Sequence, residues 1–158
     1  MSYCIKIEIV TCDKDKCVFE FESNALHKLN FLGIPVESPD AICHICIFRN
    51  LLILKTEDRV FRNGHHPVTF VNDDRSENNV LAYDLHGRYM WNIGEIVGDI
   101  RRPFTNISCV FKEDAEKEYG ITIPDGSDIL LECVAGGLVY IVDAINKKLL
   151  KKIAGRVK

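Results

Sequence analysis

Hydrophobic and polar residues alternate almost from the start of the chain. Ile5, Ile7 and Ile9 alternate with Lys6, Glu8 and Val10; after Val18, Phe19 and Phe21 alternate with Glu20 and Glu22. A period of two turns one face to a core and the other to water, so these arms read as a hairpin whose turn lies in residues 11–16. Ser23 or Asn24 then reads as the cap of a short helix through Ala25, Leu26, Leu29 and Leu32. Gly33 would end that helix and Pro35 would prevent its resumption. The apolar runs 41–47 and 51–55, broken by Phe48-Arg49-Asn50, predict a buried hairpin. Residues 63–67 predict a turn, 68–71 a strand, and 72–79 a polar loop. A second short helix is expected over 113–119, stopped by Gly120.

Two later stretches share one pattern. Val80-Leu81-Ala82-Tyr83-Asp84 passes through Leu85-His86-Gly87 to Tyr89-Met90-Trp91, and Val139-Tyr140-Ile141-Val142-Asp143 passes through a polar turn to Leu149-Leu150. Each reads as a hairpin in which the Asp, at a strand end, accepts hydrogen bonds from the backbone of its own turn. Between them lie a linker with Gly94, Gly98 and Pro103 and a strand near 107–111. Strands at 129–134, 138–142 and 148–153 then predict an antiparallel meander. About ten strands against two short helices predict a mainly β protein, all-β or α+β, with a sandwich or propeller-like arrangement. The length of 158 residues suits a single domain, within which 1–72 and 79–158 could form two packed halves.

The stretches 80–91 and 139–150 resemble the blade repeat of the β-propellers related to quinoprotein dehydrogenases, which runs roughly Val-Tyr-Ala-Leu-Asp-Ala, a Thr-Gly turn, then Leu-Trp. Gly87 and Trp91 follow that pattern. Asn146-Lys147 stands where Thr-Gly is usual, and Lys151 where Trp would fall. The resemblance implies propeller-like hairpins, not a closed propeller, since a complete one needs four or more blades. It carries no cofactor-binding residue and no quinone chemistry.

Composition narrows the partners. No apolar run approaches the roughly 20 residues of a membrane span, and the alternating N-terminus does not read as a signal peptide, so a cytoplasmic location is expected. Seven cysteines, odd in number and scattered, fit reduced thiols better than a disulfide framework. Residues 147–158 carry six of the 20 Lys and Arg and no acid, leaving 14 basic against 23 acidic residues elsewhere. Such an acidic body does not favour nucleic acid as a general partner; the basic tail is a solvated strand or a local docking patch.

The sharpest motif is Cys43-His44-Ile45-Cys46. With His65 and His66, Cys43 and Cys46 could complete a tetrahedral zinc site. However, no Gly or Pro makes the usual turn, and residues three apart on a strand point to opposite faces. His65 and His66 otherwise read as an exposed turn, and Asp73, Asp74 and Glu77 as a solvated loop without calcium-loop spacing. No nucleophile elbow, phosphate loop or metalloprotease helix is present. The expectation is therefore a non-catalytic protein-interaction module, of the inhibitor or immunity type, with no cofactor, and able to pair as a homodimer through an exposed sheet edge. Its binding patch would be Arg88, Tyr89, Trp91, Arg101 and Arg102, because Trp, Tyr and Arg dominate binding hot spots. The alternative is a small-ligand or zinc-binding protein, enzymatic or not, using Cys43, Cys46, His65 and His66.

Overall fold

The computed structural model describes residues 3–11, 15–23, 28–31, 33–37, 41–57, 59–62, 66–69, 79–98 and 104–154. The chain is mainly β. A six-stranded sheet has the order β10-β9-β6-β5-β1-β2, from β1 (Tyr3–Val10), β2 (Lys16–Ser23), β5 (Ala41–Phe48), β6 (Leu51–Glu57), β9 (Val80–Asp84) and β10 (Tyr89–Asn92). A four-stranded meander follows as β11 (Asn106–Phe111), β12 (Ile129–Ala135), β13 (Leu138–Asp143) and β14 (Lys148–Ala154). Two ribbons complete the sheets: β3 (Lys28–Phe31) with β4 (Ile34–Glu37), and β7 (Arg59–Arg62) with β8 (His66–Thr69). All pairings are antiparallel except β1 with β5. Among the described residues no helix is long and apolar enough to cross a membrane.

The expected hairpins at the N-terminus, at 41–55, and in the two matching stretches are all present. The six-stranded sheet draws strands from both sides of the 72–79 loop, which itself lies outside the described residues apart from Asn79. Of the expected strand at 68–71, the structure has β8, which begins earlier, at His66. The expected helix is corrected over 28–31, while residues 24–27 and 32 lie outside the described residues. Leu29 and Phe31 lie on β3 and pair with Val36 and Ile34, and Gly33 takes φ +78 in the connecting turn. Gly33, which would have ended a helix, instead turns a hairpin: Leu29 fits the helical set, but Leu29 and Phe31 together have the strand period. The second helix forms as expected: α2 (Lys112–Tyr119) is closed by Gly120 in the left-handed conformation, after the short α1 (Gly94–Val97) in the linker.

The two large sheets share one core. Cys46, Phe48, Leu51, Ile53, Ala82 and Trp91 from the first meet Ile107, Cys109, Leu131, Cys133, Tyr140 and Val142 from the second. Ile5, Ile7, Ile45, Leu52 and Leu54 are buried on the opposite face of the six-stranded sheet. Leu130, Val139 and Ile141 pack with Ala115 of α2 on the outer face of the other. The face of β1 that carries Glu8 and Val10 is therefore turned toward the second sheet rather than toward water. That placement creates the site below.

Candidate functional site

Glu8, His44 and Cys46 converge where β1 and β5 run side by side under β11. Parallel pairing puts Glu8 opposite Cys46, and His44, two residues earlier, projects from the same face of β5. Glu8 Oε2 accepts hydrogen bonds from His44 Nε2 at 2.7 Å and from the Cys46 thiol at 3.6 Å. Its Oε1 faces the other way, 2.7 Å from Lys16 Nζ and 3.0 Å from the Ser108 hydroxyl, which donates to it. Lys16 also donates to the Cys109 carbonyl at 2.8 Å. Glu8 and Cys46 have no exposed surface, and His44 is 3% exposed.

An unpartnered carboxylate in such a place would be protonated. Burial does push Glu8 up, but hydrogen bonds from His44, Lys16 and Ser108 together with the Lys16 charge outweigh it and hold the group at about 2. The Cys46 thiol is pushed up by burial and by the neighbouring Cys109 thiol and Glu8 charge. The resting arrangement is thus an ionised acid beside the protonated Cys46 thiol. Cys133 is pushed up likewise, by burial first and then by Glu132 and Cys109. Three thiols, Cys46, Cys109 and Cys133, therefore sit within electrostatic reach of one another in the inter-sheet core.

The expected ligand set fares differently at each position. Cys43 points away: a register shift between Ile42 and His44 leaves it bulged, and its thiol donates to the Lys55 carbonyl at 3.4 Å. Among the described residues the only group of three His, Cys or acid side chains able to share an ion is Glu8, His44 and Cys46, so Cys43 and Cys46 do not grip one together. His65 lies outside the described residues, as does the side chain of His66. The sequence-based set omits Glu8 and His44. Their same-face spacing with Cys46 makes His44 findable, since i and i+2 on a strand share a face. Nothing local marks Glu8, which alternates with isoleucines as a solvated residue would.

The expected binding patch also divides. Trp91 is 1% exposed and belongs to the core, with no partner for its ring N–H among the described residues; Arg101 and Arg102 lie outside the described residues. Arg88 and Tyr89 are exposed, Tyr89 at 54%, with Met90 at 41% and Leu85 beside them. The Tyr89 hydroxyl donates to Glu95 at 3.1 Å and accepts from the Asn92 amide at 3.2 Å, and its ring meets Tyr83 edge-on. Behind it, Asp84 closes the turn by accepting from the His86 and Arg88 backbone and from the Arg88 side chain, which hold its carboxyl below the ordinary value.

Asp143 does the same for the second hairpin, accepting from the backbone of Ile145 and Asn146 and from the Asn146 amide. Here Ser127 adds a 2.6 Å hydrogen bond from a buried hydroxyl. A cleft of about 230 Å³ opens beside it, lined by Arg49, Asp128, Asp143 and Asn146 among others. Arg49 is there committed to Asp128 through two hydrogen bonds of 3.0 and 3.1 Å, so the cleft offers no uncommitted charge pair.

No protein-family model matches this chain, nor does any curated protein or solved structure. The propeller resemblance thus rests on two hairpins alone, and these lie in different sheets.

Proposed function

We propose that this chain is a non-catalytic protein-interaction module of the inhibitor or immunity type, which meets its partner through the β9–β10 hairpin. The observation that carries this reading is Tyr89. It is the most exposed large apolar side chain among the described residues, on the outermost strand of the six-stranded sheet, yet Glu95, Asn92 and Tyr83 hold it in place. A rigid, exposed aromatic flanked by Met90 and Arg88 loses little entropy on binding, which is what a hot spot requires. The sealed state of the His44–Glu8–Cys46 group supports the non-catalytic part, because a substrate does not reach it.

Affinity capture from lysate of the native host tests the proposal, with wild type, Met90→Asp and, as a control on a distant exposed strand, Val18→Asp. The expected result is one stoichiometric protein that wild type and Val18→Asp retain and Met90→Asp loses, and whose own activity falls in the complex. A partner indifferent to Met90→Asp, or no stoichiometric partner at low and moderate salt, overturns it.

A further inference from the structure

We propose that Glu8, His44 and Cys46 form a buried site for one zinc-class divalent metal ion between the two sheets. The inference is independent of the hairpin reading above. Its first support is geometry. The three donor atoms lie within 4.8 Å of one another. Tetrahedral zinc with bonds of about 2.0–2.3 Å spaces its ligand atoms about 3.3–3.6 Å apart. Cys46 Sγ and Glu8 Oε2, at 3.6 Å, already have that spacing. His44 Nε2 and Oε2, now 2.7 Å apart across a shared proton, must open by about 0.6 Å when the proton leaves.

The second support is the donor set and its backing. Thiolate, imidazole and carboxylate together select zinc-class ions over hard cations such as magnesium. Lys16 and Ser108 hold Oε1, which fixes the carboxylate with Oε2 toward the site, the arrangement by which outer partners orient a metal ligand.

Charge is the third support. Zinc(II) with one carboxylate and one thiolate has no net charge, and the Lys16 ammonium against Oε1, its side chain 28% exposed, keeps its own charge in contact with water. Burial penalises any other total. On binding, the Cys46 thiol proton leaves to solvent and the His44 ring proton relocates from Nε2 to Nδ1, so that neutral imidazole ligates through Nε2. Because the site is closed, the ion enters as the sheets come together, as in domains whose metal binding is coupled to folding.

The test uses the full chain, purified under reductant, stripped with chelator, and titrated with Co²⁺ both as folded protein and during refolding from urea. One Co²⁺ per chain is expected, with sulfur-to-cobalt charge-transfer absorption, displacement by one equivalent of zinc, and a higher urea midpoint for the loaded wild type. Cys46→Ser and His44→Ala abolish the band, and Cys43→Ser leaves it intact. Absence of the band from wild type under both protocols overturns the proposal without reference to how the variants fold. So does a band that survives Cys46→Ser, or one lost on Cys43→Ser.

Discussion

Asp143 and Asp84 occupy equivalent places in two similar hairpins, and their truncation should cost very different amounts. Asp143 is 3% exposed and accepts four hydrogen bonds, the shortest from Ser127, itself 8% exposed. In Asp143→Ala the N–H groups of Ile145 and Asn146, on exposed turn residues, rehydrate, but the Ser127 hydroxyl loses its acceptor away from water. Hydrogen bonds to a charged group contribute about 1.5–3 kcal/mol and an abandoned buried partner costs about 1–3, so a loss of about 3 kcal/mol is expected. With a urea slope of about 2 kcal/mol/M, the midpoint should fall by about 1.5 M. Asp84→Ala should move it by less than a third as much, since its partners Arg88 and His86 are exposed and water replaces the carboxylate.

The assay is urea unfolding followed by the fluorescence of Trp91, the single and fully buried tryptophan. The pH dependence adds a sign. Burial raises the Asp143 carboxyl, but the hydrogen bonds from Ser127, Asn146 and Ile145 outweigh it and leave it below the ordinary value. Its contribution is therefore present above the unfolded value of about 3.9 and is lost as pH falls through the folded one, so wild type and Asp143→Ala converge in acid. Equal midpoint shifts for the two variants, or a gap that stays constant as pH falls, would refute the reasoning.

Two further outcomes follow from buried polar groups. In chelator-treated protein, the folded Glu8 value of about 2 against an ordinary 4.5 means that its stabilisation is complete above pH 4.5 and lost as pH falls toward 2. Glu8→Gln should destabilise by on the order of 3 kcal/mol at neutral pH, because it strands Lys16 and His44, and should flatten the acid limb in urea titrations. Asn79 bridges the two sides of the core: its amide donates to the Thr56 and Phe104 carbonyls and its oxygen accepts from the Phe104 N–H, each at 2.8 Å. Asn79→Ala should lower stability by about 3 kcal/mol by orphaning those groups, with the loss of amide-exchange protection concentrated at Phe104.

Local chemistry made much of this fold readable. Alternating isoleucines give β1, the Arg49-Asn50 break turns β5 into β6, and Gly120 stops α2, because each depends only on neighbours a few residues away. The Asp84 and Asp143 turns were equally legible, since an Asp at a strand end bonds its own turn whatever lies beyond it. Where two local readings fit, as at Leu29, the pattern could not choose, and the pairing of Leu29 with Val36 decided for a strand.

The candidate metal site depended on more distant partners. Its Cys46 and His44 share a strand face that the spacing reveals. Glu8 reaches them only because β1 runs parallel to β5, and Lys16, Ser108 and Cys109 only because β2 and β11 complete the surroundings. A bulge in β10 likewise puts Tyr89 and Trp91, two residues apart, on opposite faces: Tyr89 pairs with Tyr83 and stays exposed, while Trp91 pairs with Ala82 and joins the core. Strand periodicity tells which residues share a face; the packing of the second sheet determines which face is kept from water.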